Sequence, residues 1–190
     1  MLLYPAYFVL EVRLLACSCS CSVVCMAKVF FQGNESQTSG SLPKVGDTLP
    51  DAVLVAGDLS EKALADYRGK RLVLNVFPSL DTDVCAKSVR AFNELAGAAE
   101  NTAVLCISQD LPFAQQRFCA AEGIENVEAL SAFRSDFGQA FGLTLDGTPL
   151  KGLLARAVIV TDADHRVTHV ELVEEITNEP DYSAAEAALS

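Results

Sequence analysis

Basic residues are scarce in this chain, with 14 lysines and arginines against 25 aspartates and glutamates among 190 residues. The resulting net charge of −11 argues against nucleic acids and anionic membranes as partners, because both bind basic surfaces. Histidine is scarcer still, and His165 and His169 fall in a predicted turn and in the strand after it. Two such residues argue against a histidine-centred triad and against a metal site. We therefore predict no bound metal and no cofactor.

Seven cysteines are present, but no two of them are spaced Cys-x-x-Cys, which argues against a thioredoxin-type dithiol and a zinc ribbon. Four crowd the first 25 residues, and the other three are spread through the body of the chain as Cys85, Cys106 and Cys119. Three widely spaced cysteines do not resemble the disulfide framework of a small secreted domain. The pattern favours a reducing cytoplasm in which one or two thiols react.

Residues 1–25 are apolar, but they lack the features of a targeting segment. The start carries no lysine or arginine, and Glu11 and Arg13 interrupt the apolar run, which argues against a secretory signal and a spanning helix. Residues 14–17 faintly resemble a lipoprotein cleavage box, so periplasmic export or lipidation is the minor alternative to a cytoplasmic protein. We expect a non-domain extension upstream of a true start at Met26, followed by one domain over residues 26–190.

From Met26 onward the chain has no clear linker and no internal repeat. Near-continuous apolar runs predict buried strands, and apolar residues spaced by three and four predict helices. The predicted strands cover residues 28–34, 52–56, 71–77, 102–108, 127–130, 157–161 and 166–173. The predicted helices cover residues 59–67, 85–99, 112–123, 135–141 and 182–189, with Asp110 and Asp181 as caps of the third and fifth. This alternation predicts an α/β fold, a mixed sheet flanked by helices, with a β-hairpin at the N-terminus.

Residues 78–85 join a buried strand to a helix and place Cys85 in the first turn of that helix. Unpaired backbone N–H groups and the positive end of the helix dipole stabilise a thiolate at such a position. Thr82 can bring a hydroxyl beside the sulfur, and Pro78 fixes the backbone and shields the site from water. Arg156 precedes an apolar strand, where packing gives little reason for an arginine, and it is the candidate cation. A buried structural thiol is the alternative, but the polar loop before Cys85 argues against it.

The two other cysteines of the body differ in how clearly the pattern assigns them. Cys106 lies in the middle of a predicted strand between Leu105 and Ile107, which predicts core packing. Cys119 lies late in a helix beside Phe118, and periodicity alone would place it in the core. The residues by themselves leave its role open.

Two motifs resemble a known family. The Pro-x-x-x-Thr-x-x-Cys spacing of residues 78–85 resembles the active-site motif of the peroxiredoxins. The sequence DLPFAQQRFC at residues 110–119 resembles the second signature of the bacterial thiol peroxidases, which are atypical two-cysteine peroxiredoxins. Further segments that resemble this family are FQGN at residues 31–34, ARAV at residues 155–158 and EITNEPDY at residues 175–182. The resemblance covers residues 27–189, and the two motifs together are very specific.

The resemblance implies a thioredoxin-like fold and a peroxidase that reduces hydrogen peroxide and organic hydroperoxides. It implies that Cys85 is the peroxidatic cysteine, that Cys119 is the resolving cysteine, and that the two close an intramolecular disulfide. Thr82, Arg156 and Pro78 take the places of the residues that hold and shield the peroxide and the thiolate. A thioredoxin-type reductant and a homodimer are implied as partners.

Two other functions compete with this interpretation. A general thiol–disulfide oxidoreductase on the same fold normally uses Cys-x-x-Cys, which is absent. A redox sensor, in which oxidised Cys85 signals to a partner, is compatible with the motif. Multiple turnover with peroxide and thioredoxin distinguishes the sensor from the peroxidase.

Overall fold

A computed structural model describes residues 26–147 and 149–189. The predictions made for residues 1–25 lie outside these ranges. Within them, no helix is long and apolar enough to cross a membrane, and no cluster of three or more histidine, cysteine, aspartate or glutamate side chains could hold a metal ion.

Ten strands and four α-helices alternate along the described residues. In chain order they are β1 (Lys28–Phe31), β2 (Asn34–Thr38), β3 (Val53–Val55), β4 (Glu61–Ala63), β5 (Arg71–Val76), α1 (Asp83–Ala98), β6 (Thr102–Ser108), α2 (Pro112–Glu122), β7 (Glu128–Ser131), α3 (Phe137–Ala140), β8 (Leu145–Asp146), β9 (Ala157–Thr161), β10 (Val167–Leu172) and α4 (Tyr182–Ala187). A 3₁₀ helix, Leu64–Tyr67, follows β4 directly. The predicted α/β class is confirmed.

The main sheet has seven strands in the order β10-β9-β5-β6-β7-β3-β4. It is mixed, because β5, β6 and β7 are parallel, whereas β9 is antiparallel to β5 and β10 is antiparallel to β9. At the end of β5, Val76 pairs with Ile107 of β6 on one side and with Ala157 of β9 on the other. One end of the sheet therefore collects the residues that follow β5 and β6 and those that precede β9.

Both faces of the main sheet are buried. Alternate residues of β5 show this, because Leu72 and Leu74 belong to one apolar cluster whereas Val73 belongs to another. The second cluster includes Phe92 of α1, whose ring meets that of Tyr182 edge to face at 5.5 Å between centroids. The near-continuous apolar runs thus predicted their strands correctly, since a strand covered on both faces has no polar side.

The predicted N-terminal hairpin is confirmed and forms a second, three-stranded sheet in the order β1-β2-β8. Its turn lies at Gln32 and Gly33, whose φ angles of 51° and 76° are both left-handed, as a two-residue type I′ hairpin requires. Phe30 N donates to Glu174 O at 2.7 Å, and Ile176 N donates to Phe30 O at 2.9 Å. These bonds fasten the hairpin to the segment after β10.

Two local predictions are wrong. The helix predicted over residues 59–67 is the strand β4 followed by the short 3₁₀ helix, because Leu59 has a φ of 69° and cannot continue a right-handed helix. Asp110 does not cap α2, since the N-cap is Leu111, without a side-chain cap. The other predicted cap is confirmed, as Asp181 accepts a hydrogen bond from Ala184 N at 3.0 Å.

Candidate active site

Cys85 lies in the first turn of α1, as predicted. Thr82 is the N-cap of that helix, and its Oγ1 accepts a hydrogen bond from Cys85 N at 3.4 Å. The Cys85 side chain is 0% exposed and packs with Phe77, Leu80 and Val89. A sulfur in this place is enclosed by apolar side chains and lies at the positive end of a helix dipole.

The structure brings Arg156 to this sulfur from 71 residues away in the chain. Its Nη2 donates to Cys85 Sγ at 3.3 Å, and its Nε donates to Ile176 O at 3.0 Å. The side chain is only 2% exposed, and its Nη1 is buried without a hydrogen-bond partner among the described residues. Burying an unpaired guanidinium is costly, so a thiolate on Cys85 is a natural counter-charge for it.

A cavity of about 210 Å³ lies beside Arg156 and the residues that precede Cys85, while Cys85 itself is buried behind its wall. Pro78 and Thr82 form part of its wall together with Arg156, so the cavity brings these predicted residues together. Most of the remaining wall is apolar, and it is formed by Phe31, Ser79, Asp83, Val84, Leu150, Leu153, Ile176 and Thr177. The cavity is therefore a small, mostly apolar pocket whose wall includes the cation that contacts the Cys85 sulfur.

Asp110 fastens the loop that leads to Cys85, a role that the sequence analysis missed. Its Oδ1 accepts from Ser79 Oγ at 2.8 Å, and its Oδ2 accepts from Leu80 N at 2.7 Å and from Ser108 Oγ at 2.8 Å. The order of the elements could have indicated this contact in part. Asp110 follows β6 and the loop follows β5, and neighbouring parallel strands end at the same edge of a sheet.

A buried polar chain continues from Asp110 into α2. Gln115 Nε2 donates to Ser108 Oγ at 3.1 Å and to Leu130 O at 3.0 Å, and the Gln115 side chain is buried. The helix that carries Cys119 is thereby connected, through Ser108 and Asp110, to the loop before Cys85.

Cys106 is confirmed as a core residue. It lies in the middle of β6 and is 1% exposed, and Asn75 Nδ2 donates to its sulfur at 3.6 Å. Burial raises the pKa of the Cys106 thiol to about 12. Because the thiolate is the reactive form of cysteine, this thiol is chemically quiet at neutral pH.

Cys119 is only partly buried, in the last turns of α2, and burial raises the pKa of its thiol. Two contacts hold this part of α2 against α1. Arg90 Nε donates to Glu122 Oε2 at 2.8 Å, and Asn93 Oδ1 accepts from Asn126 N at 2.8 Å in the loop after α2. Cys85, Cys106 and Cys119 are all free thiols.

This arrangement suits nucleophilic chemistry on a polarised bond. A thiolate on Cys85 would be the nucleophile, and Arg156 Nη1, which has no hydrogen-bond partner among the described residues, is a donor on the same guanidinium; the Thr82 hydroxyl donates to Ser79 O at 3.3 Å. Donors fixed in advance around a developing negative charge lower a barrier without reorganising during the reaction.

Comparison with known proteins agrees with a site for thiol chemistry. Residues 44–189 match the redoxin family. The chain is 61% identical to a thiol peroxidase of Corynebacterium glutamicum over 165 residues, which cover 87% of this chain and 100% of that protein. It is 53% identical to a thiol peroxidase of Mycobacterium tuberculosis over 164 residues, which cover 86% of this chain and 99% of that protein.

Solved structures agree with these sequence relatives. A peroxiredoxin-like protein from Aquifex aeolicus superposes with a TM-score of 0.82 at 41% identity, covering 86% of this chain and 96% of that one. A thiol peroxidase from Chromobacterium violaceum has the same fold, with a TM-score of 0.79 at 24% identity over 85% of this chain and 95% of that one. The chain therefore belongs to the redoxin family and, within it, to the thiol peroxidases.

Proposed function

We propose that this protein reduces hydroperoxides with Cys85 as the peroxidatic cysteine, and that Cys119 resolves the oxidised form as a disulfide. The observation that carries the proposal is the 3.3 Å contact between Arg156 Nη2 and the buried Cys85 Sγ, beside a mostly apolar cavity that Arg156 lines. A structural thiol needs no buried guanidinium, whereas a nucleophilic thiolate is stabilised by one.

In the first step, the Cys85 thiolate attacks one oxygen of the peroxide. An S–O bond forms and the O–O bond breaks, so the sulfur is oxidised to a sulfenic acid. The other oxygen leaves with the bonding electron pair and takes up a proton, which gives water or an alcohol. Arg156 Nη1 stabilises the charge that develops on this leaving oxygen, and the Thr82 hydroxyl does so once it turns away from Ser79 O.

In the second step, the Cys119 sulfur attacks the sulfenic sulfur of Cys85. The S–S bond forms, the S–O bond breaks, and the oxygen leaves as water. A disulfide requires Cα atoms about 4.4–6.8 Å apart, and the two cysteines lie near opposite ends of two separate helices. We therefore expect one or both of these helix segments to unfold locally during the cycle.

The cavity is consistent with both hydrogen peroxide and organic hydroperoxides as substrates. Phe31, Leu150, Leu153 and Ile176 offer an apolar wall to an alkyl or aryl group. Hydrogen peroxide needs only the donors next to the sulfur. A thioredoxin-type dithiol then reduces the disulfide by exchange. A homodimer in the cytoplasm completes the proposal.

The test is peroxidase turnover, coupled to thioredoxin and thioredoxin reductase, in the wild type and three variants. We expect Cys85→Ser to abolish peroxide reduction and Cys119→Ser to stop turnover after the first oxidation. Cys106→Ser is the matched control and should retain activity, because Cys106 is buried away from the chemistry. Loss of activity in Cys106→Ser alone would overturn the assignment.

Local unfolding has a separate test. Hydrogen exchange is compared between the reduced and the oxidised protein at residues 84–91 and 117–123. We expect faster exchange after oxidation in at least one of the two segments. Identical protection in both redox states would contradict local unfolding.

A further inference from the structure

The carboxylate of Glu175 makes four hydrogen bonds beside the cavity, and the proposed chemistry uses none of them. Oε1 accepts from Gln32 N at 3.1 Å, from Thr177 N at 3.1 Å and from Thr177 Oγ1 at 2.8 Å. Oε2 accepts from Gly33 N at 3.0 Å. These bonds, led by the one from Gly33, lower the pKa of Glu175 to about 2. The side chain is thus ionised at physiological pH, and each bond to it is charge-assisted.

The geometry of the hairpin turn explains why a carboxylate fits there. Gln32 and Gly33 both have left-handed φ angles, and their successive N–H groups converge on Glu175. Consecutive N–H groups in turns of this kind form a concave anion site. In this chain the anion is an internal side chain, which binds the turn tip to the segment after β10.

Glu175 thereby joins two parts of one wall. Phe31 precedes the turn, and Ile176 and Thr177 follow Glu175 in sequence; all three line the cavity beside Arg156. Ile176 is also fixed independently, because its N–H donates to Phe30 O at 2.9 Å. Thr177 depends most on Glu175, through two hydrogen bonds, whereas Phe31 is also held by its pairing with Asn34 and by the bonds of Phe30, and Glu175 adds the contact at the turn next to it.

We infer that Glu175 is a positioning residue that fixes the wall formed by Phe31 and Thr177 and so sets the affinity for large organic hydroperoxides. The inference rests on the proposed function. Loss of the Glu175 carboxylate should not move Arg156. Arg156 Nε donates to the carbonyl of Ile176, and the backbone bond from Ile176 N to Phe30 O holds that residue in place. Hydrogen peroxide has no alkyl or aryl group to place against the wall formed by Phe31 and Thr177. Its reduction is therefore independent of Glu175.

The test compares cumene hydroperoxide with hydrogen peroxide in a graded series of variants. Glu175→Gln keeps one acceptor oxygen and loses the charge, and Glu175→Ala loses all four bonds. For cumene hydroperoxide we expect KM to rise about threefold in Glu175→Gln and about tenfold in Glu175→Ala. The value of kcat should be nearly unchanged, because the lost contact binds the substrate and the transition state equally. For hydrogen peroxide, kcat/KM should stay within about twofold of the wild type.

Glu174→Gln is the matched control, because it removes the same charge from the neighbouring, exposed residue, whose backbone carbonyl alone bonds to the hairpin. It should leave KM unchanged for both peroxides. Hydrogen exchange gives a readout without turnover, since the amides of Gly33 and Thr177 should exchange faster in Glu175→Gln than in Glu174→Gln. If Glu175→Ala does not fold, Glu175→Gln carries both measurements.

Each outcome either supports or overturns the inference about Glu175. A selective rise in KM for cumene hydroperoxide supports the inference. Equal losses for both peroxides would show a general structural role and overturn it, as would no change for either. A wild type that turns over neither peroxide would refute the proposed function itself, which is distinguishable because the failure appears before any variant is made.

Discussion

The two cysteines assigned to the reaction lie in regions of opposite character. Around Cys85, three side chains make specific hydrogen bonds: Thr82 caps the helix, Arg156 contacts the sulfur, and Asp110 holds the preceding loop. Around Cys119, α2 buries only Pro112 and Gln115, and the Cys119 thiol is only partly buried. The difference agrees with the two proposed steps, because the proposed attack on the peroxide requires fixed donors and the proposed disulfide requires a segment that can move.

The largest effect is expected from Arg156→Lys, which tests how strictly the Cys85 region is fixed. Lysine keeps the charge but cannot contact both Ile176 O and Cys85 Sγ as the guanidinium does. The rate of Cys85 oxidation should fall by about 100-fold or more, as when one donor to a developing anion is lost. Stopped-flow measurement of a single peroxide turnover gives this rate.

The control for this prediction is Arg134→Lys, at an exposed arginine that pairs with Glu61. It should behave as the wild type. An oxidation rate in Arg156→Lys within about threefold of the wild type would mean that charge alone, and not bidentate geometry, stabilises the transition state.

The Cys119 region should respond to pH, because burial raises the pKa of its thiol above the ordinary value of 9.0. Alkylation requires the thiolate, so the rate with iodoacetamide should rise about tenfold per pH unit up to and beyond pH 9. The extent of alkylation on the Cys119 peptide, measured by mass spectrometry in the reduced protein, checks this. A plateau below pH 8.5 would contradict the half-buried environment of Cys119.

Asp110→Ala should loosen the Cys85 loop while leaving Arg156 in place. Three hydrogen bonds are lost, two of them to Ser79 and Leu80, so we expect the free energy of unfolding to fall by about 2–3 kcal/mol. The kcat/KM for hydrogen peroxide should fall about tenfold, because the first turn of α1 is less well placed. Urea denaturation and steady-state kinetics give the two values.

Asp81→Ala is the comparison for Asp110→Ala, because Asp81 is exposed in the same loop and only its backbone N–H contacts Ser79 Oγ. It should change neither stability nor rate appreciably. If the two variants behave alike, the network centred on Asp110 does not control the loop.

The smallest effect is expected from Gly123→Ala, at the left-handed C-cap of α2. The φ of 65° strains any residue with a Cβ, although nothing lies within 4 Å of the position that a Cβ would take. The strain should cost about 1 kcal/mol of stability. Because the strain weakens the helix that we propose to unfold locally, disulfide formation after one equivalent of peroxide should be as fast as in the wild type or up to about fivefold faster.

Gly69→Ala introduces comparable strain far from both cysteines, at a φ of 89° with no atom within 4 Å of the added Cβ. It should lower stability without changing disulfide formation. Slower disulfide formation in Gly123→Ala would mean that an intact α2 presents Cys119, contrary to the proposed local unfolding.

Much of the fold was predictable because it depends on local pattern. The apolar runs of β5, β6 and β9 and the Thr82-x-x-Cys85 spacing at the start of α1 each report a preference of a few adjacent residues. The prediction failed at residues 59–67 because pairing with β3 and the left-handed Leu59 outweighed helical spacing.

The active site was only partly predictable for a related reason. Arg156 was a candidate because an arginine before a buried strand is unusual. Its contact with the Cys85 sulfur could not be predicted from the residues around it in sequence. Asp110 was assigned to a helix cap, because aspartate is a preferred N-cap residue and Pro112 follows it closely. Its contacts with Ser79 and Leu80 are 30 or more residues away in sequence and exist only once β5 and β6 pair.

The sequence by itself determined that Cys85 begins a helix behind a polar loop, because capping and dipole effects act over one turn of chain. It also determined that Cys106 is buried, because its neighbours in β6 are apolar. Only the tertiary structure decided that Arg156 contacts Cys85 and that Glu175 binds the hairpin turn. Those contacts join residues 71 and 142 positions apart, and the order and direction of the strands bring them together.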